Sequence, residues 1–289
     1  MRSVLIAGPT ASGKSALAMD FADSMGGIVI NADSMQVYDT LEILTARPPK
    51  ADTQRVEHHL YGFVPVRQSY SVGQWYRDVR GLLNDPQILE RPRVFVGGTG
   101  LYFKALCGGL ADMPDIPDAV RSHWRRALEQ QGAAHLHEEL RLRDPAIAGE
   151  LDVNDSQRIV RALEVFEASG RSIRSFQQAR GHALIDEAGA RKIVLMPDRL
   201  ELRARIERRF EAMMEQGAAE EVRRLLELDL PTNLPAMKAI GVREIAAYLA
   251  GTISLDEAVE RACIATRQYA KRQLTWFRNQ LDASWERRP

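Results

Sequence analysis

Cysteine is scarce in this chain of 289 residues, since Cys107 and Cys263 are the only two. Two distant cysteines form neither a disulfide framework nor a zinc motif, so we expect a protein of the reducing cytosol. No apolar run approaches the roughly 20 residues that a transmembrane helix needs. A glycine-rich loop begins by residue 8, which is expected to leave no room for a signal peptide. The sequence therefore predicts a cytoplasmic protein with no membrane partner.

The chain also lacks an excess of charge of either sign, because 39 basic residues balance 39 acidic ones. A surface for nucleic acid must then be local. An apolar content of 45% and a charged content of 27% are ordinary for a globular protein. The length allows one large α/β unit with an insertion, or two modest domains. The six histidines have no carboxylate or cysteine partner at ligand spacing, so a metal site built from them is unsupported.

One motif near the start carries the strongest signal. It has the pattern G-x-x-x-x-G-K-[ST] and consists of Gly8, Pro9, Thr10, Ala11, Ser12, Gly13, Lys14 and Ser15. A short apolar run precedes it and residues 16–25 have helical spacing, which is the setting that a phosphate-binding loop requires. Backbone N–H groups and the helix N-terminus would hold phosphate oxygens. Lys14 would add charge and Ser15 a hydroxyl for Mg²⁺. The motif predicts binding of a pyrophosphate-like group, and a chance match in a glycine-rich turn is the alternative.

Short apolar strands alternate with helical patterns over residues 1–111. Strands at 27–32 and 93–96 end at Asp33 and at the glycine turn that contains Thr99. This alternation predicts a parallel sheet, with ligands at the carboxyl ends of its strands. The phosphate-binding loop, Asp33 and Thr99 should therefore converge on one edge. No acidic residue ends the 93–96 strand, although ATP-hydrolysing P-loop proteins use one for Mg²⁺. This absence argues against nucleotide hydrolysis.

The pattern changes in the middle of the chain. Residues 119–181 are helical and charged, a strand returns at 192–197, and long helices follow to residue 280. We predict a P-loop-type α/β core with a parallel sheet flanked by helices and a helical C-terminal part, formed by residues 1–111 and 192–289. A helical insertion domain would occupy residues 112–191.

Three other segments admit two interpretations each. Asp33 could be a base with Gln36 free to read a substrate edge, or an ordinary helix cap. Arg158 and Arg161 share a helix face, which suits either nucleic acid or local ion pairs in solvent. The cations at the ends of segment 238–243 could bind a ligand or mark the start of a helix.

A further segment is a basic helix at 266–278 with interleaved aromatics. Arg267, Lys271 and Arg278 recur at helical spacing, while Leu274 and Phe277 can face a core. Such a stripe can follow a nucleic-acid backbone.

Taken in order, these segments resemble the tRNA dimethylallyltransferases, which prenylate an adenine next to the anticodon. The resemblance covers nearly the whole chain. It is carried by GPTASGKS, DSMQVY, the TAR of residues 45–47, the HHL of residues 58–60, GGTGLY, DSQRIVRALEV, AIGVRE and TRQYAKRQLTWFR. GPTASGKS alone is shared with many kinases, whereas DSMQVY, GGTGLY and TRQYAKRQLTWFR together are far more specific.

The resemblance implies a substrate set and several residue roles. The two substrates would be dimethylallyl diphosphate and the anticodon stem-loop of tRNA. The cofactor would be Mg²⁺. The diphosphate would lie on the loop from Gly8 to Ser15, with Lys14 acting in catalysis. Arg205 or Arg209 would also face it. Asp33 matches the general base, and Thr99 matches a residue that lines the reaction channel.

The resemblance also implies a set of tRNA contacts in five parts of the chain. These are Asp33, Ser34, Met35, Gln36, Thr99, Arg121, Gln157, Arg158, Ile159, Val160, Arg161, Lys238, Ala239, Ile240, Gly241, Val242 and Arg243. Two departures leave contacts open. The usual GTAK reads Leu44 to Arg47 here, and the usual aromatic after AIG is Val242.

The sequence thus predicts a monomeric enzyme that transfers a dimethylallyl group to adenine N6 in tRNA and releases diphosphate. Three rival functions share part of the evidence. They are a small-molecule P-loop kinase, an isopentenyltransferase that acts on free adenine nucleotides, and a nucleotide-gated RNA-binding protein without chemistry.

Overall fold

A computed structural model of the chain describes residues 2–178 and 181–289. Residues 179 and 180, which the sequence analysis assigned to the insertion, lie outside the described residues. The chain forms two compact units, one of Met1–Cys107 with Leu184–Pro289 and the other of Gly108–Ala183. The second unit therefore begins and ends earlier than the predicted 112–191. The chain returns to the first unit early because the N–H groups of Leu184 and Ile185 donate to the Leu106 carbonyl.

The first unit is built on a six-stranded sheet whose paired strands all run parallel. The strands are β1 (Ser3–Ala7), β2 (Ile28–Asn31), β3 (His58–His59), β4 (Arg93–Gly97), β5 (Ala190–Leu195) and β6 (Glu286–Arg288). Their order across the sheet is β3-β2-β4-β1-β5-β6. This arrangement confirms the predicted α/β fold with a parallel sheet.

Both faces of the central strands are buried. Leu5 and Phe95 pack into one hydrophobic cluster, while Val4 and Ile6 pack into another. A strand covered on both faces reads as an unbroken apolar run, which is why β1, β2 and β4 were predictable. The edge strands β3 and β6 are two and three residues long, too short to show a period in the sequence.

Helices flank the sheet and form most of the C-terminal part of the first unit. They are α1 (Lys14–Met25), α2 (Lys50–Arg55), α3 (Val72–Leu83), α4 (Gly100–Gly108), α9 (Arg199–Glu215), α10 (Ala218–Glu227), α11 (Val242–Leu249) and α12 (Leu255–Gln280), with a 3₁₀ turn at Ala236–Lys238. Helix α4 ends one residue past the boundary of the unit. No helix within residues 2–178 and 181–289 is long and apolar enough to cross a membrane.

Helices α9 to α12 share one hydrophobic cluster, which contains Phe210, Val222, Ile245 and Ala270. Helix α9 begins where the Asp198 carboxylate accepts the first free N–H groups of the helix. The sequence predicts long helices up to residue 280, where α12 ends. Helices α9 and α12 lie beside the carboxyl edge of the sheet, because their side chains hydrogen-bond to the loops that follow β1 and β4.

The second unit is helical. Its helices are α5 (Asp118–Arg143), α6 (Pro145–Ala148), α7 (Ser156–Ser169) and α8 (Ile173–Gln177). Its described residues include no strand, as predicted for the insertion. The backbone of α5 leaves helical geometry at Gly132, where φ is 80°. Trp124 of α5 and Leu163 of α7 lie in the core of this unit.

Candidate active site

The glycine-rich loop lies between the end of β1 and the start of α1. Gly13 takes a φ of 90° as the N-cap of α1, a conformation that favours glycine. A methyl group on Gly8 would lie 2.7 Å from the Ser12 hydroxyl, so the turn is tight. No described side chain caps α1, and its first N–H groups can therefore receive an anion. The Ser12 hydroxyl is buried with no hydrogen-bond partner among the described residues, as a ligand-binding group in such a loop would be.

Lys14 stands at the centre of a cluster of charges. Its ammonium group donates to the Pro9 carbonyl at 3.1 Å. Burial lowers the pKa of Lys14 to about 8, while the charge of Asp33 raises it and that of Arg209 lowers it. Burial likewise lowers the pKa of Arg209, which Asp33 raises. The structure therefore brings these three predicted residues within electrostatic range of one another.

Asp33 is held at the end of β2 by its own neighbours. The Asn31 side chain accepts from the Asp33 N–H at 2.8 Å and donates to the Asp33 carbonyl at 2.9 Å. One carboxylate oxygen of Asp33 accepts from the Met35 N–H at 3.0 Å. The helix-cap interpretation is wrong, because the described residues after Asp33 form a turn that leads to a bridge between Tyr38 and Val64.

Thr99 lies next to Asp33 because β2 and β4 pair directly. The Thr99 hydroxyl accepts from the Ser34 N–H at 2.9 Å and donates to the Ser34 hydroxyl at 3.2 Å. The two strand ends approach so closely that a methyl group on Gly97 would lie 2.0 Å from the Ala32 carbonyl oxygen. The structure thus brings Thr99, Ser34 and Asp33 to the edge where the glycine loop lies.

Three tyrosines near Asp33 were not predicted as residues of the site. Burial raises the pKa values of Tyr61, Tyr102 and Tyr269, and the charge of Asp33 raises each of them further. Trp75 stacks on Tyr102 with ring centroids 4.1 Å apart. The carboxylate therefore lies near three neutral phenols as well as near the cations Lys14 and Arg209. Tyr102 and Tyr269 fall within quoted motifs, so their position there was the available signal.

The two candidate arginines of α9 differ in what they touch. Arg205 donates to the Ser12 carbonyl at 3.2 Å and pairs with Glu201. It supports the outside of the glycine loop. Arg209 instead lies in the electrostatic cluster of Lys14 and Asp33. The charge coupling with Lys14 and Asp33 therefore favours Arg209 as the arginine that faces an anion on the loop.

A magnesium ion would depend on Ser15. No group of three or more His, Cys, Asp or Glu among the described residues could hold a metal ion. Ser15 is exposed in the first turn of α1, beside the loop. Mg²⁺ usually keeps several waters and takes few protein ligands together with substrate phosphates. A single hydroxyl beside a phosphate-binding loop fits such an ion.

Gln36 is not free to read a substrate, which corrects the sequence analysis. Its side-chain N–H groups donate to the carbonyls of Thr45 at 2.8 Å and Ala46 at 3.0 Å. The segment from Leu41 to Arg47 lies beside Gln36, whose amide pairs two of its partly buried carbonyls. The remaining residue of this stretch, Met35, is half-buried against the helical core.

Glu221 of α10 holds the same segment and was missed. Its carboxylate is 1% exposed and accepts from the backbone N–H groups of Glu42, Ile43 and Leu44 at 2.6, 2.8 and 2.9 Å. The sequence held only a weak signal for its burial. Glu221 lies three residues after Ala218 and four before Leu225, so it falls on the buried face of α10.

Several predicted tRNA contacts of the second unit are core residues. Ile159 and Val160 are buried in its hydrophobic cluster, so their side chains cannot reach a ligand. Gln157 and Arg158 are exposed. Arg158 pairs with Asp155 at 3.3 Å, and Arg161 with Glu164 at 3.4 Å. The exposed pair of Arg158 is weak, so it leaves that guanidinium group able to bind phosphate. Arg161 is half-buried, and its partner Glu164 is buried. Arg121, also exposed, donates to the Ile116 carbonyl at 3.2 Å.

Segment 238–243 likewise contains both exposed and buried residues. Lys238 and Arg243 are exposed, Ile240 is half-buried, and Gly241 is the N-cap of α11 with a φ of 99°. Ala239 and Val242 are buried in the helical cluster, which corrects their prediction as side-chain contacts. Val242 packs inward, so it offers no surface for stacking.

Helix α12 contributes both core and surface. Phe277 is buried and Leu274 packs against the helical cluster, as expected. Lys271 and Arg278 are exposed. Arg267 is neutralised in part by Glu207 of α9 at 3.0 Å, so the basic stripe retains two exposed cations of the three predicted.

The parallel sheet, the glycine loop and the carboxylate at its edge are typical of P-loop-type α/β proteins that act on phosphate-bearing substrates. The family model described as IPP transferase matches residues 36–280, and the one described as isopentenyl transferase matches residues 1–61. The chain belongs to the IPP transferase family.

Curated relatives agree with this assignment. A tRNA dimethylallyltransferase of Rhizobium johnstonii is 58% identical over 99% of this chain and 97% of the relative. A tRNA dimethylallyltransferase of Chelativorans sp. is 57% identical over 99% of this chain and 98% of its own length.

Solved structures show the same likeness. The full-length tRNA isopentenylpyrophosphate transferase of Bacillus halodurans has a TM-score of 0.69 and 32% identity, and the match covers 99% of this chain and 89% of that one. A eukaryotic dimethylallyltransferase acting on tRNA has a TM-score of 0.80 and 26% identity, covering 96% of this chain and 70% of that one.

Proposed function

We propose that this protein transfers the dimethylallyl group of dimethylallyl diphosphate to N6 of the adenine next to the anticodon in tRNA. The observation that carries the proposal is the meeting of Lys14, Arg209 and Asp33 at one edge of the sheet. Two cations beside a phosphate-binding loop suit a diphosphate, and a carboxylate among them suits the removal of a proton. The tRNA substrate is that of the related enzymes described above.

The diphosphate is the leaving group in this reaction. Its C1–O bond breaks while negative charge grows on the diphosphate oxygens. Backbone N–H groups of the loop, Lys14 and Arg209 would stabilise that charge. The groups are held in place before the reaction, because Lys14 is tied to the Pro9 carbonyl and Arg205 to the Ser12 carbonyl. No phosphoryl transfer is needed, which agrees with the absence of an acidic residue at the end of β4.

Asp33 would take the proton that N6 loses as the new C–N bond forms. Its second carboxylate oxygen is not used by the bond to Met35, and so can face the amine. Tyr61, Tyr102 and Tyr269 are buried or half-buried near Asp33. They would exclude water from the allylic carbon, which would otherwise be hydrolysed. The adenine must leave its stack to reach this site, as in other enzymes that act on a base.

The cofactor Mg²⁺ would be held by Ser15 together with the diphosphate. Bound there, the ion would neutralise part of the charge of the leaving group.

The anticodon arm would be bound partly by exposed cations. Arg158 and Arg121 of the second unit, and Lys271 and Arg278 of α12, have the exposure and charge for contacts with RNA phosphates. The half-buried Arg161 would add to them. Monomeric behaviour and a cytoplasmic location stay predictions.

The test is mass spectrometry of tRNA nucleosides after incubation of the purified protein with Mg²⁺, dimethylallyl diphosphate and unmodified tRNA. We expect N6-dimethylallyladenosine and one diphosphate per product. Steady ATP turnover without a prenylated nucleoside would instead identify a kinase. Prenylation of free adenine nucleotides but not of tRNA would identify the second rival, and RNA binding without any product the third.

A further inference from the structure

The carboxamide of Gln273 joins the glycine loop to the turn that carries Thr99. Gln273 lies on α12 and is 6% exposed. Its Oε1 accepts from the backbone N–H of Thr10 at 3.0 Å, and its Nε2 donates to the carbonyl oxygen of Gly98 at 2.9 Å. Both polar ends of this buried side chain are therefore paired, one with each loop.

These two bonds lie beside the carboxylate of Asp33. A methyl group placed on Gly98 would lie 2.2 Å from Gln273 Nε2 and 3.2 Å from Asp33 Oδ2. The next residue is Thr99, whose hydroxyl accepts from the Ser34 N–H at 2.9 Å. One amide thus touches the loop expected to bind the donor and the turn expected to face the acceptor.

We propose that Gln273 is a positioning residue that holds these two loops at a fixed separation during transfer, an inference that rests on the proposed function. A carboxamide suits the task because one loop presents an N–H and the other a carbonyl, and a glutamine offers both an acceptor and a donor. A displacement of about 1 Å between reacting groups can cost about 10²-fold in rate. Although its helix carries exposed cations, the burial of Gln273 separates it from the surface where Lys271 and Arg278 lie.

The first test replaces Gln273 with methionine, which keeps most of the volume and loses both bonds. We expect Gln273→Met to lower the single-turnover rate by about 10- to 100-fold, with the dissociation constants for dimethylallyl diphosphate and tRNA changed by less than about threefold. Hydrogen exchange of the Thr10 amide should become faster in the free protein, because its acceptor is gone. The control is Gln216→Met, at an exposed position after α9, which should change neither measurement.

The second test uses Gln273→Glu and the pH profile. A protonated glutamic acid can accept from Thr10 and donate to Gly98, whereas the ionised form only accepts. Burial raises the pKa of such a carboxyl group, so the ratio of variant to wild-type rate should rise from about pH 8 to about pH 6. Asp33, Lys14, Arg209 and the three phenols are common to both proteins, so the ratio removes their own titration. A merely structural role would leave this ratio flat, and Gln273→Met should show a flat ratio.

Three results would overturn the proposal. These are a single-turnover rate of Gln273→Met within about threefold of wild type, unchanged exchange at Thr10, and an increase in the KM for tRNA alone, which would make Gln273 an RNA contact. If Gln273→Met fails to fold, a flat pH ratio for Gln273→Glu overturns it equally. Wild-type protein that forms no prenylated tRNA, while Thr10 loses protection in Gln273→Met, would refute the proposed function and support the link between the loops.

Discussion

Binding of the donor should take up a proton at alkaline pH, because Lys14 is partly deprotonated in the free protein. Burial lowers the pKa of Lys14 to about 8, with Asp33 opposing and Arg209 adding to the shift. A diphosphate beside the ammonium group favours its charged form and raises this pKa again. The linkage therefore has a definite sign: as pH rises through about 8, the free protein loses the proton that the complex keeps, and affinity falls.

The magnitude follows from the pKa of about 8. Lys14 is about nine-tenths protonated at pH 7 and about one-tenth protonated at pH 9. If the complex keeps the proton throughout, the affinity falls about tenfold over this range, or about 1.4 kcal/mol. Binding should take up about 0.1 proton at pH 7 and about 0.9 proton at pH 9.

Neighbouring groups do not produce this slope. Burial raises the pKa values of Tyr61, Tyr102 and Tyr269, so they stay neutral. The Arg209 guanidinium does not lose its proton in proteins. The diphosphate itself is ionised across this range, since the second ionisation of a phosphate monoester lies near pH 6.

The assay is isothermal titration calorimetry of dimethylallyl diphosphate without tRNA, in two buffers of different ionisation enthalpy at pH 7, 8 and 9. The matched variant is Lys14→Arg, whose permanent charge should abolish the pH dependence even if binding is weaker. The reasoning would be refuted by an uptake below about 0.3 proton at pH 9, or by an unchanged slope in Lys14→Arg.

Three further predictions concern the base, the insertion and the loop after β2. Asp33→Asn keeps the acceptor for Met35 but removes the base, so the single-turnover rate at pH 7 should fall by about 10²- to 10⁴-fold with little change in substrate binding; retention of more than a tenth would make Asp33 a positioning group. Replacement of Arg158 and Arg161 together by alanine should raise the KM for tRNA and reduce the salt slope of binding by about two, without affecting donor affinity. The control is Arg223→Ala, which removes an exposed ion pair with Glu220, and unchanged tRNA binding in the double variant would assign Arg158 and Arg161 to local ion pairs alone. Glu221→Ala leaves three partly buried N–H groups without their acceptor, at about 1 kcal/mol each, so urea unfolding should show a loss of about 3 kcal/mol, against almost none for the exposed Glu220→Ala. A loss below about 1 kcal/mol would contradict the role assigned to Glu221.

Local patterns were enough to predict the parallel sheet and the glycine loop. Strands β1 and β4 are buried on both faces, so their apolar runs are visible without knowledge of any partner. The carboxyl ends of parallel strands share an edge, so Asp33 and Thr99 could be placed together from their positions after two strands. The resemblance to a family added roles that the spacing alone could not supply.

The sequence motifs mark segments of the chain near the site, but they do not show which side chains of each segment are exposed. Ile159 and Val160 lie within a stretch expected to bind tRNA, yet a helix turns every residue by about 100° and directs these two side chains into the core. Ala239 and Val242 are buried for a similar reason beside exposed Lys238 and Arg243. The sequence marks such a segment as a whole, whereas packing decides which of its side chains a ligand can touch.

The buried hydrogen bonds of the site came only from the tertiary structure. Thr10 and Gln273 are 263 residues apart in the chain. Glu221 accepts a hydrogen bond from the N–H of Glu42, which lies 179 residues away. Hydrogen bonds form between whichever donors and acceptors the fold brings within about 3 Å, and neither glutamine nor glutamate announces a distant backbone partner by its type. The sequence by itself therefore determined the sheet, the loop and the residues at its edge, because these depend on neighbours along the chain. Which polar side chains hold those loops in place was decided by the tertiary structure, because only packing removes water and requires each buried N–H and carbonyl to find a partner.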